Sequence, residues 1–243
     1  MSLDPDSAEA HKATGRLKSY KWDWEGAKKE LERAAELAPG DAEARVGYSF
    51  INLILGRFEE AIAGLKRAIQ IDPSIDPYGI MLAEWYGNSR RYDEAITLFL
   101  AGIQSDPNNP RLYNSLSWVY ASKGMYAEAV AAAEKSLEKL RAPDKTFFHL
   151  NVAMVYAFAG RRTDALKLLD EYLTSQKGKP VESFIIAEVY SLLGEKNKAF
   201  EWLDRAIQDH AYMTLWLKID KPLDNTRSDP RFKEYLKMAG FEK

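Results

Sequence analysis

An alanine that recurs at nearly constant spacing is the feature that most limits how this chain can fold. Six segments align with one another, and the alanine they share falls at successive intervals of 34, 34, 34, 36 and 34 residues. A period of this length has room for two amphipathic helices of about 13 residues, a turn between them and a turn to the next pair. One pair leaves an apolar face uncovered, so several pairs must stack to form a stable array. The shared residues are Ala27, Ala61, Ala95, Ala129, Ala165 and Ala199.

Glycine and proline occupy fixed places relative to these alanines. In four repeats a glycine stands five residues before the alanine, where the first helix must stop and positive φ is useful. In the first three repeats a proline stands twelve residues after it, where it cannot extend the second helix. Repeat one has Trp22 where the others have the turn glycine, and Pro143 of repeat four comes two residues late, in agreement with the interval of 36. The residues in these places are Gly56, Gly124, Gly160, Gly194, Pro39, Pro73 and Pro107.

Two further columns complete a pattern that resembles the tetratricopeptide repeat family. A small residue recurs on the first helix of each pair, at Gly15, Ser49, Ala83, Ser117, Ala153 and Ala187, and a tyrosine recurs at Tyr86, Tyr120, Tyr156 and Tyr190. The resemblance implies an all-α, right-handed superhelical solenoid of six helix-turn-helix units over residues 8–210. The units are expected at about 8–41, 42–75, 76–109, 110–145, 146–179 and 180–210, with a C-terminal extension and capping helix at 211–243.

The C-terminal extension carries its own helix signal. Asp229 followed by Pro230 predicts a helix of about nine residues that begins there, because aspartate caps a helix and proline fits its first position. Its apolar side would hold Phe232, Tyr235, Leu236 and Met238. One interpretation is a cap on the exposed face of repeat six, as solenoids require. The alternative is an autoinhibitory segment that occupies the binding groove.

The sequence contains no arrangement typical of a catalytic or metal site. There is no cysteine, and no GxSxG, GxxxxGK or GxGxxG motif occurs. His11, His149 and His210 lie in different repeats without metal-ligand spacing, and we expect the first two to be half-buried packing residues. The interleaved acids and bases are typical of solvated helix faces. We therefore expect a non-catalytic protein without cofactor or metal; an enzyme built on the helices is the least favoured alternative.

Charge and hydropathy exclude two further partner classes. With 34 basic and 36 acidic residues the net charge is −2, so no excess of basic residues favours nucleic-acid binding. No apolar run approaches the roughly 20 residues of a membrane span, and residues 1–10 do not resemble an export signal. We expect no nucleic acid, no membrane contact and a cytoplasmic location.

The resemblance also implies which residues line the inner wall of the superhelix. In the family this wall comes from the first helix of each pair, and here those positions are mainly apolar and aromatic. Co-chaperone members use lysines and asparagines there to hold a peptide carboxylate. In this chain Lys12 and Arg16 are followed by Val46, Gly47 and Phe50 in repeat two, so that carboxylate clamp is incomplete. The predicted groove residues are Val46, Phe50, Leu53, Ile80, Glu84, Asn114, Trp118, Phe147, Leu150, Met154, Phe158, Phe184 and Glu188.

These positions predict a protein-protein interaction scaffold. An apolar, aromatic and methionine-containing groove suits a protein or peptide with an apolar segment, such as an amphipathic helix, with Trp118, Phe50 and Phe184 as anchors. We expect Trp118→Ala to weaken binding while the array stays folded. The chain's own tail and a second copy, which would form a homodimer, are alternative occupants. The competing interpretation is that apolar residues at helical spacing simply pack as core.

The two ends carry a narrower resemblance. The string KWDWEGA and the closing NTRSDPRFKEYLKMAGF resemble segments of tetratricopeptide regions near the C-terminus of large bacterial signalling proteins. Those proteins carry winged-helix, nucleotide cyclase or serine/threonine kinase domains upstream. The alternative function is therefore a regulatory or sensory region of an adenylate cyclase, kinase or transcriptional regulator, with residues 1–3 as a cloning scar. A stand-alone scaffold is the other interpretation.

Overall fold

The chain folds into consecutive helices that pack in pairs, as the 34-residue period predicts. The structure is a computed structural model that describes residues 4–73, 77–140 and 145–242, with the backbone alone at 77–78 and 145–147. In these ranges twelve helices form six consecutive pairs, and the predicted all-α class is confirmed. They are α1 (Ala8–Tyr20), α2 (Trp24–Leu37), α3 (Ala42–Ile54), α4 (Phe58–Ile71), α5 (Pro77–Asn88), α6 (Tyr92–Ser105), α7 (Pro110–Lys123), α8 (Tyr126–Lys139), α9 (Lys145–Phe158), α10 (Arg162–Ser175), α11 (Ser183–Leu192) and α12 (Lys196–Gln208).

The recurring alanines are buried between the helices, and this explains their spacing. All six have 0% exposure. In the first pair Gly15 of α1 lies against α2, where an added Cβ would come within 2.6 Å of Leu31 Cγ and 3.4 Å of the Ala27 carbonyl oxygen. Larger side chains at either position would force the two helices apart, so each repeat keeps small residues at this contact.

The first helices of the pairs form a layer of their own. Direct contacts join α1 to α3, α5 to α7, α7 to α9 and α9 to α11. The second helices join successive pairs, since α2 contacts α3, α4 contacts α5, α6 contacts α7 and α8 contacts α9. The first-helix layer is thus the inner face of the array. None of the helices in the described ranges combines the length and apolarity needed to cross a bilayer.

The turn inside each pair uses a left-handed residue in all six repeats. Gly56, Gly124, Gly160 and Gly194 have φ between 71° and 89°, as the sequence predicts. The same place in repeats one and three holds Trp22 at φ 59° and Arg90 at φ 63°. A side chain in this conformation costs about 1–2 kcal/mol. Both exceptions contact the end of the chain, which offsets that cost.

The chain after α12 returns across the inner face instead of leaving the array. We call residues 211–242 the C-terminal segment. It contains two short 3₁₀ segments, Tyr212–Trp216 and Lys221–Asn225, and both contact α11. Trp216 meets Phe50 of α3 edge to face, with ring centroids 5.7 Å apart. The guanidinium of Arg90 lies 3.0 Å from the carboxylate of Asp224.

The C-terminal segment also contacts the first repeat. We call this contact the tryptophan clasp: Trp22 and Trp24 of the first repeat pack against His210 and Phe241 near the end of the chain. Trp22 stacks on His210 at 3.7 Å, and Trp24 stacks on Phe241 at 5.3 Å. The buried indole Nε1 of Trp24 donates a hydrogen bond to the carbonyl oxygen of Ala239 at 2.6 Å. The first repeat and the end of the chain, more than 200 residues apart, are therefore in direct contact.

The last helix, α13 (Pro230–Met238), begins where the Asp-Pro signal predicts and has nine residues. Its Tyr235 ring stacks on Phe200 of α12, and the Tyr235 hydroxyl donates to Asp204 at 2.5 Å. Of the four residues predicted for its apolar side, Phe232, Tyr235 and Leu236 pack in the core cluster, whereas Met238 is half exposed. The two interpretations of this extension are compatible: α13 covers α12, while the preceding residues lie over the inner face.

The left-handed turn position gives a matched pair of substitutions. Gly124→Ala should lower the free energy of unfolding by about 1–2 kcal/mol, because φ is 89° and an added Cβ meets nothing within 4 Å. Gly40→Ala is the control, since its surroundings are equally open and its φ lies outside the left-handed region. Urea unfolding followed by circular dichroism measures both. Equal effects of the two substitutions would contradict this account of the turn.

The tryptophan clasp predicts a local effect of Trp24→Phe. Phenylalanine keeps the apolar contact with Phe241 but leaves the buried Ala239 carbonyl without a donor, at a cost of about 1–3 kcal/mol. Hydrogen exchange should accelerate in residues 211–242 and stay unchanged in α5 to α8. Trp202→Phe is the matched control, because Trp202 lies outside the clasp. Uniform acceleration along the chain would argue against a local role.

Candidate binding cavities on the inner face

Two cavities remain between the C-terminal segment and the first-helix layer. The larger has a volume of about 600 Å³ and the smaller about 550 Å³. Phe50 and Met81 line both cavities and therefore stand between them. We call the larger the acidic cavity, after Glu84, Glu188 and Asp220 in its wall, and the smaller the N-terminal cavity, after its contacts with α1 and the tryptophan clasp. Both volumes are within the usual range for ligand sites.

Aromatic rings form most of the apolar wall of the acidic cavity. Trp85 comes from α5, Trp118 from α7, Phe148 from α9 and Trp216 from the C-terminal segment. Trp118 packs against the clusters on both of its sides and lies close to Gly87, where an added Cβ would approach its ring within 2.7 Å. The cavity is thus built by repeats two to six and closed by the C-terminal segment.

One ion pair on this wall is already satisfied. Glu84 of α5 lies 3.1 Å from the guanidinium of Arg111, and the hydroxyl of Ser115 donates to the same carboxylate at 3.2 Å. Asn114, one residue before Ser115, differs: its buried side-chain oxygen Oδ1 has no hydrogen-bond partner. A ligand with a donor group could satisfy it.

Glu188 and Asp220 form a buried acid pair in the wall of the acidic cavity. Glu188 lies on α11 and is 2% exposed, and Asp220 precedes the second 3₁₀ segment and is 8% exposed. Burial, followed by the negative charge and hydrogen bond of Asp220, raises the pKa of Glu188 well above its usual range. Burial also raises the pKa of Asp220, while the hydrogen bond from Glu188 and the nearby Arg227 act in the other direction. Because the pKa of Glu188 is raised well above its usual range, we expect Glu188 to be the protonated member of the pair and to donate a hydrogen bond to Asp220.

The basic residues near this pair are committed to other acceptors. Arg227 donates to the carbonyl oxygens of Leu217 and Asp220 and to the carboxylate of Asp224. Lys221 also pairs with Asp224, at 3.1 Å. Glu188 Oε1 has no hydrogen-bond partner in the structure. Within the described part of the chain, the acidic cavity thus has two buried acceptor oxygens without a hydrogen-bond donor, Asn114 Oδ1 and Glu188 Oε1.

The N-terminal cavity has cations that the chain itself neutralises. Lys12 is buried and lies 2.8 Å from Asp41, with Glu9 and Glu43 also in range. These contacts outweigh burial and raise the pKa of Lys12 above its usual range. Arg16 pairs with Glu43. The two residues that resemble half of a carboxylate clamp are therefore paired with internal carboxylates.

The structure separates the thirteen predicted groove residues into groups. Phe147 lies in the first turn of α9, but its side chain lies outside the described part. Leu53 and Leu150 are fully buried in the core, and Phe184 is covered by Leu217, Leu223 and Phe232 of the C-terminal segment, so the prediction of Phe184 as an anchor is wrong. Ile80 and Phe158 are half-buried against core clusters and lie outside both cavities. The residues that do line a cavity are Val46, Phe50, Glu84, Asn114, Trp118, Met154 and Glu188.

Sequence reasoning missed the contribution of the C-terminal segment. Trp216 and Asp220 line the acidic cavity, and Tyr212 and Leu215 line the N-terminal one. These residues lie beyond the last repeat, so no column of the repeat pattern assigns them a place. The signal that was available is Trp22, an aromatic residue at a position that elsewhere requires glycine.

Comparison with known families identifies the repeats. Two family models, both described as tetratricopeptide repeat, match residues 23–85 and 53–119 and residues 110–138. Residues 23–138, just under half of the chain, match tetratricopeptide repeats. The matched residues run from the N-cap of α2 to the end of α8, and the remaining helix pairs continue the same pattern.

Known structures and a curated relative extend the comparison. The structure of PilW, described as a widely conserved type IV pilus biogenesis factor, has a TM-score of 0.57 at 16% identity, and covers 90% of this chain and 97% of its own. MamA from Desulfovibrio magneticus RS-1 has a TM-score of 0.54 at 14% identity, over 72% of this chain and 98% of its own. These likenesses confirm the solenoid fold. Superkiller complex protein 3 of Mus musculus is 25% identical over 192 residues, which is 75% of this chain and 12% of that relative's length.

The acid pair predicts how stability depends on pH. Because the pKa of Glu188 is raised in the folded state, the folded chain keeps a proton that the unfolded chain releases at about pH 4.3. The free energy of unfolding contributed by this group therefore falls as pH rises toward neutral. Glu188→Gln removes that contribution, so the variant should gain stability relative to wild type at higher pH.

Urea unfolding at several pH values tests this pH dependence. Asp41 and Glu43, whose pKa values are lowered by Lys12 and Arg16, act in the opposite direction, so the quantity to compare is the difference between variant and wild type. Glu60→Gln is the control, since Glu60 is exposed on α4. A difference for Glu188→Gln that does not change with pH would contradict a protonated Glu188.

Proposed function

We propose that this protein is a non-catalytic interaction scaffold that binds a polypeptide segment on its inner face. The observation that carries the proposal is the pair of cavities, about 600 and 550 Å³, that share Phe50 and Met81 as a common wall. A bound segment would run past this wall and insert one side chain into each cavity. Aromatic and methionine side chains at such places adapt to ligands and supply much of the binding energy.

The C-terminal segment shapes what can bind. It covers Phe184 and contacts Phe50 through Trp216, so a broad amphipathic helix would compete with it for the inner face. An extended peptide needs less width, and the cavities stay accessible to its side chains. We therefore favour an extended segment with two anchoring side chains over the helix that the sequence alone suggested.

The test fills the acidic cavity without removing core side chains. Trp118→Ala is a poor choice because Trp118 packs on two core clusters, and its loss would change stability as well as binding. Asn88 ends α5, lines the acidic cavity and is half-buried, so Asn88→Trp places a ring in the cavity. Peptides selected from a displayed random library on the wild-type protein should bind this variant roughly tenfold more weakly or worse.

Asn108→Trp is the matched control, because Asn108 is exposed in the turn between α6 and α7. It should bind the selected peptides like wild type in calorimetric titration. Equal affinity of all three proteins, or a library that yields no binder, would contradict the proposal. A concentration-dependent dimer in sedimentation velocity that Asn88→Trp abolishes would instead assign the inner face to a second copy of the chain.

The alternative function is that this array is the regulatory region of a larger signalling protein, whose output domain lies outside these 243 residues. The mouse relative carries its matching residues in a far longer chain, which bears on the attachment of such an array to further domains and not on a signalling role. The reading frame upstream of residue 4 in the native gene tests this alternative. A continuous frame that encodes an output domain would support it, and a start codon at this point would contradict it.

A further inference from the structure

Two acceptor atoms in the wall of the acidic cavity have no donor among the described residues. Asn114 Oδ1 and Glu188 Oε1 are both buried acceptors without a hydrogen-bond partner, and Glu188 is 2% exposed. Leaving such buried atoms unpaired is unfavourable, so a ligand that donates to them gains binding energy. Both residues line the same cavity, so one ligand could reach both.

The charges in the cavity wall favour a cation. The acidic residues in the wall are Glu84, Glu188 and Asp220, and the basic residue is Arg111, which is already paired with Glu84. Among the described residues near the acid pair, the basic side chains are paired elsewhere: the N–H groups of Arg227 are directed to the carbonyl oxygens of Leu217 and Asp220 and to the carboxylate of Asp224. A ligand that brings a positive charge would allow both acids to ionise.

The rings in the wall favour an organic cation over a metal ion. Trp85, Trp118 and Trp216 line the same space as the acid pair, and indole faces attract ammonium and guanidinium groups. Magnesium and calcium need several oxygen ligands and retained water, which an aromatic wall does not supply. No group of three or more candidate ligands for a metal occurs within the described ranges.

We propose that the acidic cavity binds an organic cation, a primary ammonium or guanidinium group, which donates to Glu188, Asp220 and Asn114 and packs against the tryptophan rings. The inference rests on the proposed function in one respect: the group is taken to be the lysine or arginine side chain of the bound polypeptide. A free amine offers the same chemistry, and the experiment separates the two sources.

Binding of the cation would expel the proton of Glu188. Affinity should therefore rise with pH across the neutral range, and titrations in two buffers of different ionisation enthalpy should show proton release. The other groups close to the pair do not substitute for the cation, because each is paired or uncharged at neutral pH. They are Arg227, Lys221 and Asp224 of the C-terminal segment, Tyr92 of α6, and Glu84 and Arg111 across the cavity.

The first arm of the experiment uses small molecules on the full chain. N-acetyl-arginine amide and cadaverine should bind wild type in calorimetric titration, while the neutral isostere N-acetyl-citrulline amide should not. Glu188→Gln should weaken the two cations roughly tenfold or more and abolish the pH dependence, because the amide cannot carry the compensating charge. Asp220→Asn should act in the same direction, and Glu60→Gln should leave affinity unchanged. Circular dichroism checks that each variant is folded.

The second arm uses the peptides selected for the proposed function. Replacement of their lysine or arginine by glutamine or citrulline should weaken binding to wild type and have little further effect on Glu188→Gln. Peptide binding that ignores these changes would overturn the cation proposal and leave the scaffold function standing. Cation binding by the small molecules, with no peptide bound, would support the cavity chemistry and assign it to a free amine. Equal binding of citrulline and arginine amides would overturn the proposal outright.

Discussion

The contact between the first repeat and the end of the chain determines the shape of this molecule. Repeat arrays hold each unit by its neighbours alone, so their two ends normally have no means of interacting. Here Trp24 donates to the Ala239 carbonyl, and Trp22 stacks on His210, across most of the length of the sequence. This clasp holds the C-terminal segment over the inner face. The cavities exist because that segment bridges the inner face without filling it.

Two unfavourable local features become understandable once the C-terminal segment is considered. Trp22 and Arg90 occupy the left-handed turn position where four other repeats use glycine. Each contributes a side chain that glycine lacks, Trp22 to stack on His210 and Arg90 to pair with Asp224. The backbone is therefore strained at two turns, and the side chains at those same turns attach the C-terminal segment at two separate places. The buried acid pair is a third such feature, and the cavity it faces is where we propose that a partner binds.

The sequence predicted much of the fold because the repeat pattern reports short-range contacts. The buried alanines and the turn glycines each act within one helix pair, and Asp229 acts within the first turn of α13; all lie where the sequence pattern indicates. The path of residues 211–229 could not be predicted, since it depends on contacts with α3, with the turn between α5 and α6, and with α11 that no local signal encodes. For the same reason Phe184 was misplaced as a groove anchor. Glu188 was named as a groove residue, but its partner Asp220 lies outside the repeats.

The most direct test of the closed arrangement is a distance between α2 and α13. The chain has no cysteine, so Lys29→Cys and Lys233→Cys, both at exposed positions, can be spin-labelled without background. Double electron-electron resonance on the doubly labelled protein should give one narrow distance, and Trp24→Phe in the same background should broaden it. A broad distribution in the unmodified clasp, or one that Trp24→Phe leaves unchanged, would contradict the claim that the tryptophans hold the two ends together.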